Sequence, residues 1–243
     1  MRILTFSKRC ASEILRDPLN LAFGLGFPTV LLLLLSAIQA NVPVPLFEIE
    51  RLAPGIAVFG LSFMTLFSAT LIAKDRESAF LERLYTTPLR SYEFILGYTL
   101  PIIPLAIAQS LICYIIALTL GMTITINILF AIIAIIPIST LYISLGLLCG
   151  SIFNVKQVGG ICGALLTNLS AWLSGVWFDL ELVGDGFRRV AYALPFVHTV
   201  ELERGLISGS CEGFLSDILI VFAYASVIMS LAIVVFLRQI KRR

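Results

Sequence analysis

The chain has 243 residues, of which 59% are hydrophobic and only 13% are charged, and its formal net charge is +2. The mean hydropathy of +1.01 excludes an ordinary soluble globular domain. Because apolar stretches near twenty residues recur along the whole chain, the composition predicts a polytopic helical membrane protein with no nucleic-acid partner.

Residues 1–17, MRILTFSKRCASEILRD, predict an amphipathic helix that lies at a membrane surface. Ile3, Cys10 and Ile14 belong to an apolar set at helical spacing, and basic residues occupy the intervening positions. Asp17-Pro18 ends this helix and starts the next, because the residue before a proline disfavours helical geometry whereas proline fits a first turn.

Six apolar runs are long enough to cross a bilayer, which requires about 20 residues. They are predicted at about 19–40, 54–73, 94–118, 126–150, 158–177 and 215–237. The predicted fold class is therefore all-α, with one transmembrane domain over residues 1–243. The external segment 179–213 is the longest polar stretch, and Pro195 divides it into two short helices, FRRVAYAL and FVHTVELERGLI.

The positions of lysine and arginine predict the orientation. Thirteen of the 17 basic residues lie in the leader, in the 74–93 loop, at Lys156 and in the C-terminal tail. The other four lie in the opposite loops: Arg51, Arg188, Arg189 and Arg204. Since cytoplasmic loops are enriched in basic residues, we expect a plasma (inner) membrane protein with both termini in the cytoplasm.

The sequence lacks the residues that a transporter with its own energy source would need. The predicted spans have no Asp, Glu, Lys, Arg or His near their middle, and no Walker A pattern occurs. We therefore expect no catalytic site and no bound cofactor, so that any active transport takes its energy from a partner. His198 is the only histidine, and we expect a structural or surface role for it rather than a metal site.

Two sets of residues inside the predicted spans have alternative explanations. The first set is polar and uncharged: Gln109, Thr167, Asn168 and Ser170. These side chains either bond between helices, at about 0.6 kcal/mol each, or line a substrate path. The second set is two glycine pairs, Gly146 with Gly150 and Gly159 with Gly163, which permit close helix packing within the subunit or at a dimer seam.

The stretch AKDRESAFLERLYTTPLR, residues 73–90, concentrates charge between the second and third predicted spans. It predicts a short amphipathic helix that ends at Pro88. One explanation is an interfacial helix with basic retention signals. Its mixed charges, together with Phe80 and Tyr85, instead favour a docking surface for a cytoplasmic protein, because aromatic residues and arginine are favoured anchors.

Two segments carry a resemblance to a known family. DRESAFLERLYTTPLRSYEFILGY resembles the signature of the ABC-2 type transporter permeases, the membrane subunits of ATP-driven exporters that include multidrug and antibiotic exporters. LSGVWFDLELVGDGFRRVAYALPFVHTVELERGLI, residues 173–207, is similar to the end of the family's fifth span and the external segment after it. Two departures are the acidic DLELVGDG and Ala79, where many relatives have a glycine-threonine pair.

The resemblance implies a role for three groups of residues. The 74–93 loop would be a coupling helix in a groove of an ATP-binding subunit, which holds the ATP and magnesium. The residues that would make or shape this contact are Glu77, Glu82, Arg83, Leu84, Tyr85, Thr87, Pro88 and Leu89. The external helices would be re-entrant and cap the exit, with Arg188, Arg189 and Pro195 at that position.

The function implied by the resemblance is that of an exporter permease subunit, not itself an enzyme. Its partners would be the ATP-binding subunit, membrane lipids and a second permease subunit, in a homodimer or alternatively a heterodimer. An apolar path suits a lipophilic or amphipathic substrate such as a drug, an antibiotic or a lipid. The alternatives are a polysaccharide-exporting permease, an ATP-independent facilitator or channel, and a membrane scaffold that recruits a soluble enzyme.

Overall fold

The computed structural model describes residues 2–42, 44–78, 91–210 and 213–241, which form helices and no strand. The helices are α1 (Arg2–Leu15), α2 (Pro18–Asn41), α3 (Ile49–Glu77), α4 (Ser91–Thr99), α5 (Ile102–Thr119), α6 (Asn127–Ile152), α7 (Val155–Gly160), α8 (Thr167–Leu173), α9 (Asp185–Tyr192), α10 (Pro195–Ser208) and α11 (Phe214–Lys241). A π-helical turn lies within α2 (Ala22–Gly26), another joins α7 to α8 (Ile161–Leu166), and short 3₁₀ turns occupy Pro45–Phe47 and Leu180–Leu182.

Helix α3 is the centre of the bundle. In its most apolar stretch 89% of the residues are buried, against 22% in α2 and 17% in α11. Helices α5, α6, α10 and the segment 155–173 pack around it. Because α3 is surrounded by protein whereas α2 and α11 are largely uncovered, α3 is the part of the fold against which the other spans are positioned.

Glycine permits α6 to touch the backbone of α3. A Cβ atom on Gly146 would lie 2.4 Å from the carbonyl oxygen of Thr65, and one on Gly150 would lie 2.5 Å from that of Ala69. The Thr65 hydroxyl also donates to the carbonyl of Tyr142 across the same contact, at 2.9 Å. This glycine pair therefore packs within the subunit, whereas a Cβ on Gly159 of α7 would meet no atom within 4 Å.

Among the described residues, five helical stretches are long and apolar enough to cross a membrane, not the six predicted. They are Pro18–Asn41, Ile49–Glu77, Glu93–Thr119, Asn127–Ile152 and Phe214–Gln239. The predicted fifth span consists instead of α7, the π-helical turn and α8, and this segment carries Lys156 and Asn168. It nevertheless runs along α3 from end to end. At its start, the Val155 N–H donates to Glu77 at 2.8 Å. Just beyond α8, the carbonyl oxygen of Gly175 accepts a hydrogen bond from Arg204 at 3.2 Å, and the Arg204 side chain lies beside Gly55 of α3.

The two ends of α3 define two ends of the molecule, which we call the Glu77 end and the Arg51 end. Helix α1 lies at the Glu77 end, and Phe236 near the end of α11 meets Phe94 of α4 there, with ring centroids 6.5 Å apart. Helices α9 and α10 lie at the Arg51 end. They are separate helices that divide at Pro195, as predicted from the sequence.

Candidate functional site

Helix α3 ends in four consecutive charged residues, Lys74, Asp75, Arg76 and Glu77, which we call the charged hub. The sequence analysis assigned these residues to the 74–93 loop. In the structure they form the last turn of the central helix, directly before the segment 79–90. Their charges are therefore held on the most buried helix of the bundle.

Asp75 binds the amphipathic helix α1 to the bundle. The carboxylate is nearly inaccessible, and both of its oxygens accept hydrogen bonds from the Arg9 guanidinium, at 2.6 and 2.7 Å. The Tyr98 hydroxyl donates to the same carboxylate at 2.7 Å. Burial lowers the pKa of Arg9, but its hydrogen bonds and charge interaction with Asp75 outweigh that effect and raise the pKa above its ordinary value. The bidentate pair joins α1 to α3, and the Tyr98 hydrogen bond adds α4.

The apolar face of α1 packs against the same region. The Phe6 ring meets Tyr98 edge-on with centroids 5.0 Å apart, and Gly97 leaves the space that the ring fills. Cys10 is 0% exposed. Burial and then the charge of Asp75 raise the pKa of the Cys10 thiol to about 12, so the thiol stays protonated and unreactive while α1 is docked.

The other hub residues bind the ends of neighbouring helices. The Arg76 guanidinium donates to the carbonyls of Gly150 and Phe153, at 2.7 and 3.1 Å, where α6 ends and its carbonyls lack helical partners. Glu77 accepts from the first N–H of α7, and Lys74 lies 3.5 Å from Asp17 at the start of α2. The hub thus connects α3 with α1, α2, α4, α6 and α7.

Of the eight residues predicted to contact an ATP-binding subunit, the structure describes only Glu77. Its carboxylate is exposed and already caps α7. The other seven lie outside the described residues: Glu82, Arg83, Leu84, Tyr85, Thr87, Pro88 and Leu89.

The four polar residues predicted to line a substrate path do not share one face. Gln109 is buried between α5 and α3, and its amide nitrogen donates to Cys113 at 3.3 Å. Thr167 and Ser170 are buried, and the Thr167 hydroxyl donates to a carbonyl of its own helical segment. Asn168 is exposed and donates to Ala164 at 2.8 Å. Only Asn168 is available to a molecule outside the subunit.

The residues predicted to cap the exit lie at the Arg51 end. Arg188 and Arg189 are exposed on α9, and Arg188 pairs with Glu181 at 3.5 Å. Pro195 is buried at the first position of α10. The proline therefore sets the helix boundary, whereas the two arginines face the surroundings.

Glu203 is a buried acid that the sequence analysis did not single out. It is 0% exposed on α10, and one of its oxygens accepts from the Tyr114 hydroxyl of α5 at 2.8 Å. Burial raises the pKa of Glu203 to about 8, against the opposing effect of that hydrogen bond. A sequence signal was present, because Glu201 and Glu203 are two residues apart on a helix and cannot both face outward.

His198 is also buried on α10, which excludes the predicted surface role. Its neighbours include Asp217 at the start of α11 and Glu201 one turn further along α10. The sequence analysis did not pair these residues, because Asp217 is distant along the chain.

A buried central helix with apolar helices around it and polar groups at its ends defines a polytopic α-helical membrane protein. The family model described as "ABC-2 type transporter" matches residues 1–207. The chain belongs to this family, as its two motifs indicated, and is accordingly a membrane permease of the ABC transporter class. No curated protein matches the chain.

Proposed function

We propose that the chain is the permease subunit of an ABC exporter and forms the translocation path, while a separate ATP-binding subunit hydrolyses ATP. The charged hub is the observation that carries this proposal. It links five helices to the central helix at the point where the segment 79–90 follows. A rigid helix with these connections converts a movement of that segment into a rigid-body movement of the spans.

We propose that the protein lies in the plasma (inner) membrane. In the proposed topology the chain crosses the membrane six times, and both termini are in the cytoplasm. The segment 155–173 starts at Val155, which bonds to Glu77, and Val176, three residues beyond its end, lies beside Gly55 at the other end of α3. Its 19 residues rise roughly 28 Å as a helix, close to the thickness of a bilayer core. Helix α1 and the end of α11 share the Glu77 end, where most basic residues lie. This arrangement agrees with the enrichment of basic residues in cytoplasmic segments.

The coupling contact is proposed for Glu77 and the seven predicted residues of the segment 79–90. In this proposal, nucleotide-driven closure of two ATP-binding subunits moves the segment, and the hub passes the movement to α1 and α6. The family membership supports an ATP-binding partner, which would hold the ATP and magnesium. The chain itself has no Walker A sequence for that chemistry.

A lipophilic or amphipathic substrate, such as a drug, an antibiotic or a lipid, is the class we propose. The largely uncovered helices α2 and α11 expose apolar side chains, among them Leu34 at 53% and Phe222 at 52%. Lipid or a second permease subunit would cover these faces. We propose a homodimer whose seam forms the path, with a heterodimer as the alternative, and helices α9 and α10 as re-entrant exit caps.

The experiment is the double variant Glu82→Ala/Arg83→Ala, compared with Asp179→Ala/Arg51→Ala. The control removes one exposed acid and one exposed arginine at the Arg51 end, neither of which is assigned to the path or to the exit cap. Tagged protein is purified from native membranes, copurifying proteins with a Walker A sequence are identified, and ATP-dependent movement of a lipophilic dye is measured in inverted vesicles. We expect the first variant to lose the ATP-binding protein and at least tenfold of the transport, and the control to keep both.

The alternatives give different outcomes. If Glu82→Ala/Arg83→Ala retains both association and transport, the coupling assignment is wrong. If the unaltered chain copurifies with no ATP-binding protein, the exporter proposal is wrong, and dye movement without ATP would then indicate a facilitator. Recruitment of a soluble enzyme without any transport would indicate a scaffold, and ATP-dependent export of a polymer but not of the dye would indicate a polysaccharide permease.

A further inference from the structure

His198 lies between two oxygen atoms at the Arg51 end. Its Nδ1 atom is 2.7 Å from Oδ1 of Asp217, and its Nε2 atom is 3.1 Å from the carbonyl oxygen of Tyr192. Both His198 and Asp217 are nearly inaccessible to solvent. The ring is therefore positioned by α9 on one side and by α11 on the other.

The carbonyl of Tyr192 determines which ring nitrogen carries hydrogen. A carbonyl oxygen can only accept, so Nε2 must be the N–H donor. In the neutral ring Nδ1 then has a lone pair, and it faces a carboxylate oxygen that also has lone pairs. Two such atoms at this distance need a cation between them, either a proton or a metal ion.

Glu201 adds a second carboxylate to this pair. It lies one turn beyond His198 on α10, and the ligand atoms of His198, Glu201 and Asp217 all lie within 4.8 Å of one another. One imidazole and two carboxylates are a donor set that zinc accepts. Metal-binding histidines commonly donate their other N–H to a backbone carbonyl, as His198 does to Tyr192.

The surroundings favour a cation over an anion. The three residues line an open cleft of about 690 Å³ that also contains Glu48 and Glu50. Four acids and two arginines line the cleft, and one of the arginines, Arg51, is paired with Asp179 at 3.0 Å. Glu201 accepts one hydrogen bond, from the Tyr192 hydroxyl at 2.5 Å, and the Arg204 guanidinium donates to the carbonyls of Arg51 and Gly175. The excess of acids over arginines attracts a cation from the surrounding solution.

We propose that His198, Glu201 and Asp217 bind one divalent zinc-class ion through Nδ1 and the two carboxylates, with a fourth position open to water. Ligand atoms about 2.1 Å from a tetrahedral ion lie roughly 3.4 Å apart, so the Nδ1–Oδ1 distance of 2.7 Å has to widen by about 0.7 Å. The ion joins α10 to α11 and replaces the proton between them. This site does not rest on the exporter proposal.

The test is calorimetric titration of the detergent-purified, EDTA-treated chain with zinc chloride. We expect one saturable site per chain and at least tenfold weaker binding in Glu201→Gln. Because Glu201 is only half-buried, this variant is expected to fold, and a melting curve without zinc verifies that. Glu181→Gln removes an exposed acid at the same end of the molecule and is expected to keep the affinity.

X-ray absorption at the zinc edge identifies the ligands independently of affinity. Zinc–nitrogen and zinc–oxygen distances of about 2.0–2.2 Å with an imidazole signature support the site, whereas zinc–sulfur distances of about 2.3 Å would indicate cysteines and overturn it. Absence of saturable binding, or an unchanged affinity in Glu201→Gln, also overturns it. A proton held between His198 and Asp217 then accounts for the short distance.

Discussion

Charges at the two ends of α3 are used in different ways. At the Glu77 end, the inaccessible Asp75 carboxylate binds Arg9 in bidentate geometry, and Arg76 and Glu77 bind the ends of neighbouring helices. At the Arg51 end, the side chains of the Arg51–Asp179 pair are 46% and 49% exposed, and acids border an open cleft. Since water screens exposed pairs, the Asp75–Arg9 pair is a strong connection at its end, whereas the Arg51–Asp179 pair is a weak one.

The largest loss of stability is expected from Asp75→Asn. The change removes a buried negative charge and the bidentate bonds of Arg9 to it, while the pair of Arg9 with Glu13 at 2.8 Å remains. Breaking a buried pair costs about 3–5 kcal/mol, and we expect about 2–4 kcal/mol because Arg9 is a third exposed and keeps Glu13. Thermal unfolding in detergent measures the loss of stability.

Maleimide labelling of Cys10, in a chain whose other cysteines are serine, tests the detachment of α1 in the same variant. Cys10 should react slowly in the parent and rapidly in Asp75→Asn, because the thiol becomes exposed when α1 leaves. Slow labelling in both proteins would show that the aromatic contacts of Phe6 hold α1 without the ion pair.

A smaller loss of stability is expected from replacing a glycine by alanine, a change that can be made separately at each end of the molecule. In Gly150→Ala the new methyl group meets the backbone of Ala69 at 2.5 Å, so α3 and α6 must separate, which costs about 1–3 kcal/mol. In Gly55→Ala the nearest atom is the far end of the Arg204 side chain at 3.3 Å, which can move. Denaturant unfolding of both variants should show loss of stability only for Gly150→Ala.

The pH dependence of stability should come from the Arg51 end, through Glu203. Its pKa is about 8 in the folded chain and about 4.3 when unfolded. Between these values the folded chain holds a proton that the unfolded chain releases, so stability falls as pH rises, by up to about 1.4 kcal/mol per unit. Melting curves from pH 5 to pH 8 should show this slope in the parent and in Glu181→Gln, and a flatter profile in Glu203→Gln.

The smallest loss of stability is expected from Asp179→Asn. This change breaks the exposed pair with Arg51, and exposed pairs contribute about 0–1 kcal/mol. Unfolding midpoints at low and high salt should hardly differ from those of the parent. A loss as large as that of Asp75→Asn would contradict the contrast between the two ends.

Local features were the part of the fold that the sequence could predict. The leader helix, the start of α2 at Pro18 and the division at Pro195 follow from hydrophobic spacing and from the geometry of proline. The family membership was predicted from two motifs and is confirmed. The six crossings and the eight coupling residues stay predictions.

The candidate sites depend on contacts that local pattern does not contain. Asp75 and Arg9 are 66 positions apart, and Tyr114 and Glu203 are 89 apart. Nothing in the stretch AKDRE distinguishes the acid that is buried from its exposed neighbour Glu77. The four polar span residues were selected by residue type alone, and the structure separates them into three buried and one exposed.

The sequence by itself determined that this chain lies in a membrane as a set of helices and belongs to a transporter family, because the bilayer requires long apolar runs and motifs are local. Tertiary structure decided which helix is central and which charges are buried, since those depend on the surfaces that meet after folding. The hub and the His198 cluster are products of that packing. Each depends on contacts between helices that are distant along the chain.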